Sequence, residues 1–85
     1  MSIQHNAAQH TFTSGQAELA YELPDAHSIN FVHTFVPENE RGQGLADELA
    51  HAGLAYARQQ HLRVQADCPF IAAYIERHPE EVGNR

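Results

Sequence analysis

The apolar positions first alternate along the chain and then switch to a helical period. Over residues 5–13 the small or apolar Ala8 and Phe12 interleave loosely with polar residues, which predicts a modest strand. Ser14-Gly15 supplies a turn. Over residues 16–23 the alternation is cleaner, with Ala17, Leu19, Tyr21 and Leu23 on one face. The two segments predict a β-hairpin closed at Gly15. Pro24-Asp25 ends the second run. Residues 28–36 are dense in β-formers (Ile29, Phe31, Val32, Phe35 and Val36) and predict a third strand. Three antiparallel strands in a meander is the simplest arrangement.

Pro37 stops the third strand, and residues 37–44 hold Pro, Asn and two Gly, which predicts a loop. From Leu45 onward Leu45, Leu49, Ala52, Gly53 and Tyr56 share one side of a helix, with Ala46, Ala50, Leu54 and Ala57 beside them. Asp47 and Glu48 in the first turn and Arg58 and His61 at the far end suit the helix dipole. Leu62, Val64 and Ala66 then alternate with polar residues as a short strand. A strand–helix–strand unit implies parallel pairing. Pro69 opens a second helix with Phe70, Ile71, Tyr74 and Ile75 on its inner side, and Pro79 blocks its continuation. Residues 80–85 are expected to fray. The order β-β-β-α-β-α predicts an α/β fold: a mixed, mostly antiparallel sheet with two helices.

Length and charge narrow the classes. With 85 residues, the chain makes one small domain over residues 1–85. Its 42% hydrophobic content is that of a globular chain. The net charge of −6 repels phosphate backbones, so nucleic acid is not an expected partner. No apolar run approaches the ~20 residues needed to span a membrane. The N-terminal residues show no signal-peptide pattern, and the single Cys68 permits no internal disulfide, so a cytoplasmic setting is expected. The seven histidines include no His-x-His or His-x-x-x-His pair, so no metal is expected.

The junction of the third strand with the long helix carries the most chemistry. A loop with Arg41, Gly42 and Gly44 runs into a helix N-terminus, whose first amides have no partner in the helix. Those amides and the dipole make an anion site, and Arg41 can add a bidentate phosphate contact. The same residues could equally form a plain turn with a solvated arginine. The loop lacks the Gly-Lys-Ser/Thr of a Walker A loop and the third glycine of a dinucleotide-binding fingerprint.

Arg41-x-x-Gly44-x-Ala46 resembles the Arg/Gln-x-x-Gly-x-Gly/Ala signature of the GNAT superfamily of N-acetyltransferases. Over nearly its whole length the chain resembles the minimal single-domain GNAT-like proteins of the YjdJ type. The resembling blocks are His33-Thr34-Phe35-Val36-Pro37, then Arg41-Gly42-Gln43-Gly44-Leu45-Ala46, then Cys68-Pro69-Phe70-Ile71-Ala72-Ala73-Tyr74 with Arg77-His78-Pro79. The resemblance implies an acetyl-CoA-dependent N-acetyltransferase acting on a small amine or a protein Lys. It implies that Phe35, Val36 and Pro37 pair with the pantetheine arm. It also implies that Arg41, Gly42, Gln43, Gly44, Leu45 and Ala46 hold the pyrophosphate. The helices that a full GNAT domain places between its first two strands are missing, since Ser14-Gly15 allows only a tight turn. A CoA-binding regulatory module with little catalysis is therefore the alternative.

Cys68 lies between a strand and a helix N-terminus, where the dipole lowers a thiol pKa, while a close Asp67 would oppose this. It is a candidate acetyl relay or, alternatively, a small buried residue. Tyr74 falls about where many GNAT enzymes place a tyrosine that protonates the departing thiolate; its alternative is core packing. His33 is a candidate base, or else a strand histidine bonded to a neighbour.

Overall fold

In a computed structural model of the chain, residues 3–40, 42 and 44–81 are described. Five strands, β1 (Gln4–Asn6), β2 (Thr11–Ser14), β3 (Ala17–Asp25), β4 (Ser28–Phe35) and β5 (Arg63–Ala66), form one sheet in the order β1-β2-β3-β4-β5. The first four are antiparallel, and β5 runs parallel to β4. Helix α1 (Leu45–Gln59) joins β4 to β5, and α2 (Pro69–Arg77) follows β5. Single 3-10 turns occupy Glu38–Glu40 and Pro79–Glu81. The mixed α/β class and the two helices are as expected. No helix among the described residues is long and apolar enough to cross a membrane.

Three local differences have physical causes. The single strand expected over residues 5–13 is a hairpin of two strands. Asn6 makes the turn, since both its carbonyl and its side-chain oxygen accept the Gln9 N–H. His10 completes it in the left-handed region at φ 58°. Strand β3 continues past Pro24 to Asp25. Its ladder with β4 is irregular between Glu22 and Asp25, so the missing Pro24 N–H removes no regular bond there. Glu80 and Glu81, expected in a frayed tail, lie in a 3-10 turn, and Glu81 is tied to α1 and α2 by its side chain.

One face of the sheet is covered. Phe12, Ala17, Leu19, Tyr21, Ile29 and Phe31 form a single core with Leu45, Leu49, Leu54 and Ala57 of α1 and Ile71 and Tyr74 of α2. Burying each of the three α1 leucines contributes roughly 1.5–3 kcal/mol, more than the helix propensity of any one residue. The other face is more polar, with Glu18 and Glu22 on β3 and Gln65 on β5.

A register shift inside β4 decides which side chains reach the core near the loop. Ala20 pairs with His33 but Tyr21 pairs with Phe31, so β4 carries one extra residue at Val32. Directly opposed residues share a face. Thr34 lies opposite the fully buried Leu19 and therefore turns to the covered face. His33 and Phe35 turn to the open face, and both are exposed.

Helix α1 leaves no room for a side chain against the sheet at Gly53. A Cβ there would meet Phe31 Cε1 at 2.8 Å and Leu19 Cδ2 at 2.9 Å. Both neighbours are fully buried and cannot swing aside. Glycine-to-alanine in a helix ordinarily gains up to about 1 kcal/mol. Here overpacking dominates, and Gly53→Ala is expected to lose roughly 1–2 kcal/mol in denaturant unfolding. A variant as stable as the parent would show that α1 can slide away from the sheet.

The N-terminal hairpin is held by an aromatic cluster. His5 stacks on Phe12 at 4.2 Å, meets Tyr56 edge-on at 4.5 Å, and bonds the Tyr21 hydroxyl at 2.6 Å. Burial, with His10 adding repulsion, holds the His5 pKa below its ordinary 6.5. The folded state therefore takes up this proton less readily than the unfolded chain. Stability associated with His5 is complete above pH ~6.5 and is lost as pH falls towards its lowered folded value. Denaturation midpoints should drop between pH 7 and 5, and His5→Phe should flatten that drop while keeping the stack. An unchanged pH slope in the variant would rule His5 out as the source.

Candidate functional site

Two features converge where β4 runs out. The first is a cavity of about 190 Å³ lined by Val36, Glu40, Gly42, Gly44, Leu45, Ala46 and Asp47. Gly42 and Gly44 sit in the left-handed region at φ 84° and 78°. A Cβ at either would meet nothing within 4 Å, so the demand for glycine here comes from φ and not from crowding. Gly44 is the N-cap residue of α1 and makes no side-chain cap. Its carbonyl accepts the Glu48 N–H at 3.0 Å, which closes the first helical turn. The N–H groups of Leu45, Ala46 and Asp47 precede that bond and have no intrahelical partner. They form the positive end of the helix dipole, the arrangement an anion site requires. The lining also carries two carboxylates, Glu40 and Asp47, and none of its seven described residues is basic. Arg41 and Gln43, the polar side chains expected to help here, lie outside the described residues.

The second feature is the parting of β4 from β5. Their ladder ends at the Phe31–Ala66 pair, whereas β4 continues to Phe35. The Phe31 carbonyl accepts both the Asp67 and the Cys68 N–H, each at 3.0 Å, and this turns the chain into α2. Cys68 is the N-cap residue of α2, 6% exposed, with its Sγ 3.4 Å from the Thr34 hydroxyl. Burial pushes the thiol pKa up. The Thr34 hydroxyl and the amides of Ile71, Phe70 and Thr34 outweigh that and hold it below the ordinary thiol value. The sulfur closes no regular cap hydrogen bond, so these amides act on it as oriented dipoles. Asp67, which could have raised the thiol pKa, accepts the Asn30 side-chain N–H on its carboxylate at 3.0 Å.

Tyr74 has a different setting. It is 4% exposed, and its hydroxyl donates to Glu81 Oε2 at 2.9 Å. Burial and the Glu81 carboxylate, with Asp47 and Glu80 adding to it, push the phenol up to about 12. The other Glu81 oxygen lies 2.8 Å from His51 Nδ1 on α1. Burial raises the Glu81 pKa, but the bonds to His51 and Tyr74 outweigh this and lower it. Tyr74 thus sits in a hydrogen-bonded network with Glu81 and His51 and not in apolar packing alone.

The expected residues therefore divide. Val36, Gly42, Gly44, Leu45 and Ala46 line one cavity. Phe35 does not line it and is 46% exposed on the open sheet face. Pro37 is half-buried and accepts the Glu40 N–H at 2.9 Å. His33 is turned to the face opposite Cys68. Glu40, Thr34, His51 and Glu81 were not singled out by the sequence. Thr34 meets Cys68 across 34 residues and Glu81 meets His51 across 30, so no local pattern marks either pair. His78, Glu80 and Glu81 bring ligand-type atoms within 4.8 Å of one another, a grouping that the histidine spacing does not reveal. Both oxygens of Glu81 are already engaged by Tyr74 and His51.

Comparison with known proteins agrees with the fold. The NMR solution structure of a GCN5-like protein from Staphylococcus aureus superposes with a TM-score of 0.77 at 28% identity, over 94% of this chain and 82% of that one. Protein NATD1 of Gallus gallus is 28% identical over 93% of this chain and 77% of its own length. Protein NATD1 of Homo sapiens is 29% identical over 91% of this chain and 74% of its own length. The profile of the GCN5-related N-acetyl-transferase family matches residues 7–83. A strand that ends in a glycine loop, a helix with uncapped amides and a match along nearly the whole chain lead to one assignment: this protein belongs to the GCN5-related N-acetyltransferase family.

Proposed function

We propose that this protein is an acetyl-CoA-dependent N-acetyltransferase that takes an amine or a Lys side chain as acceptor. The observation that carries the reading is the run from Thr34 to Val36. Thr34 touches the Cys68 sulfur and Val36 lines the cavity at the α1 amides. Two extended residues span at most ~7 Å. An anion held on the α1 amides and a thioester near Cys68 would then belong to one elongated ligand along the end of β4. The amides of residues 45–47 would take the pyrophosphate, with Arg41 as its cationic partner. The edge of β4 that β5 leaves beyond Phe31 would take the pantetheine arm. The acidic surface, at net −6, favours a cationic acceptor.

Cys68 is the group on which we place the transfer. Its thiolate attacks the acetyl carbonyl, the bond from that carbon to the CoA sulfur breaks, and CoA leaves as a thiolate that takes up a proton. The acceptor amine then attacks the acetyl-Cys68 thioester, loses a proton to solvent, and releases the Cys68 thiolate. Thioester exchanges for thioester in the first half, so no further reactant is needed. Tyr74 suits the direct route less well. A phenol raised to about 12 and already bonded to Glu81 is a reluctant proton donor.

A CoA-binding module with little turnover is the second reading. It is favoured by the open sheet face and by the two-residue connection of β2 to β3, which leave the acceptor side without covering helices. Calorimetry with CoA and acetyl-CoA tests the shared part, and absence of binding at millimolar ligand would sink both readings. Turnover against a panel of amines separates them.

The chain contains no lysine, so an acetyl adduct cannot reside on a side-chain amine. Mass spectrometry after acetyl-CoA addition is expected to show a hydroxylamine-sensitive adduct on the Cys68 peptide. Cys68→Ala should lose it and lower turnover by at least ~10². Full turnover in Cys68→Ala together with a large loss in Tyr74→Phe would move the chemistry to Tyr74.

Thr34 is expected to set the reactivity of the thiol. Thr34→Val removes a hydroxyl that stabilises the thiolate, so the thiol pKa should rise. Alkylation of Cys68 by iodoacetamide should then slow near neutral pH, and its pH–rate midpoint should move to higher pH. A midpoint that stays in place would show that the Thr34 contact does not reach the thiolate.

A further inference from the structure

The end of the sheet opposite the glycine loop carries a second cavity, of about 410 Å³, lined by His27, His61, Leu62 and Arg63. It lies at the far end of α1, whose 15 residues make a helix ~22 Å long. Charges in the glycine loop are screened over ~10 Å and do not govern it. Three of its four lining side chains are cations or become cations on protonation, and no described lining residue is acidic. The chain as a whole has five Lys+Arg against eleven Asp+Glu, so this cavity runs against the charge of the rest.

Backbone hydrogen bonds lock the three cationic residues together from three segments. His27 lies in the turn between β3 and β4. Its N–H donates to Asp25 Oδ1 at 2.8 Å, and its carbonyl accepts the Arg63 N–H at 2.8 Å. His61 follows α1 at φ 57°, and the next N–H, of Leu62, returns to the Ala57 carbonyl at 2.8 Å. The Tyr56, Ala57 and Arg58 carbonyls accept the Gln60, Leu62 and His61 N–H groups, so the end of α1 that would repel an anion has these carbonyls already bonded. Asp25 is the neighbouring carboxylate. The His27 N–H on its oxygen is the main cause that holds its pKa below the ordinary carboxylate value, with the charges of His27 and Arg63 adding to it. The Arg63 guanidinium and the two imidazoles make no side-chain hydrogen bond or ion pair among the described residues.

We infer that this cavity binds a tetrahedral dianion of the phosphate class, gripped by the Arg63 guanidinium with N–H groups of His27 and His61. The guanidinium offers two parallel N–H groups that match two oxygens of such a group, and the imidazoles supply donors for the others. A monocarboxylate has one charge and two oxygens and leaves part of this donor set unused. The site is separate from the cavity at the α1 amides and does not depend on what that one holds. A free phosphate ion and the end of a small phosphate ester present the same chemistry to it.

The test is heteronuclear NMR of the full chain titrated with sulfate, inorganic phosphate, glycerol phosphate and acetate at one ionic strength. Sulfate keeps its charge between about pH 5.5 and pH 8, whereas the imidazoles gain charge as the pH falls. The charged neighbours of the imidazoles, Asp25 on β3, Arg58 on α1 and Arg63 on β5, keep theirs over that range. Saturable shifts at His27, His61, Leu62 and Arg63 are expected with sulfate and phosphate, several-fold tighter at the lower pH. Acetate should bind more weakly. Glycerol phosphate binding at least as tightly as phosphate would assign the site to an ester, and weaker binding would assign it to the free ion. Arg63→Gln should weaken sulfate roughly tenfold or more while the response of residues 44–47, at the other cavity, stays unchanged. His27→Gln combined with His61→Gln should abolish the pH dependence. All three side chains are exposed, so the variants should fold, and their spectra report it directly. Lack of saturation at these residues by about 10 mM sulfate overturns the inference. So do acetate binding as tight as sulfate and an unchanged sulfate affinity in Arg63→Gln.

Discussion

One carbonyl oxygen ends the parallel pairing of β4 with β5. The Phe31 carbonyl takes the N–H groups of both Asp67 and Cys68, so the chain after β5 must leave the sheet plane at that point. Strand β4 does not leave with it. The extra residue at Val32 exchanges the faces of β4 at the same place and brings Thr34 to the covered side just as β5 turns away. The two events together put a hydroxyl from β4 against a thiol at the head of α2. Without the shift in β4, His33 and not Thr34 would face inward, and a bulky ring in place of a hydroxyl would crowd the Cys68 sulfur.

Two buried ionisable side chains at α2, Cys68 at its N-cap and Tyr74 within it, are driven apart by what covers them. Both are almost fully buried, so desolvation alone raises both. Cys68 sits at the start of the helix, where amides and the Thr34 hydroxyl favour the anion and reverse the shift. Tyr74 sits a turn and a half later beside the Glu81 carboxylate, which disfavours its anion and adds to the shift. One helix therefore has a thiol whose pKa is lowered at its head and a phenol whose pKa is raised further along. Environments that separate two titrating groups in this way are how a small site divides nucleophile from proton holder.

The two helices were legible because their apolar positions recur at the helical period and because Gly44 and Pro69 mark their starts. The glycine turn into the helix start was legible for the same reason: glycine positions and a helix N-terminus are local facts. The split of the first strand was not, since Ala7, Ala8 and Gln9 carry no turn signal and the reversal depends on the Asn6 side chain and on His10 at positive φ. Thr34 and Glu81 were missed for a different reason. Each acts through a partner at least 30 residues away, and the register shift that aims Thr34 is fixed by pairing with β3, not by any residue type in β4. Glu80 and Glu81 look like a solvated acidic tail until His51 and Tyr74 are placed beside Glu81.

A domain of this size has little stability to spare, so the places where it accepts local cost are informative. Left-handed residues occur at His10, Gly15 and His61, and these close tight turns. At His61 the Leu62 N–H reaches the Ala57 carbonyl at 2.8 Å, so the unfavourable φ is offset by a helix-end hydrogen bond. The remaining departures are of another kind. The uncapped amides of α1 and the unpartnered oxygen of Glu40 have no such local compensation among the described residues. The amides stand at the head of α1, and the run from Val36 to Thr34 leads from there to the thiol at the head of α2. A bound anion that met the amides would remove their cost, and its affinity would add directly to the stability of the fold.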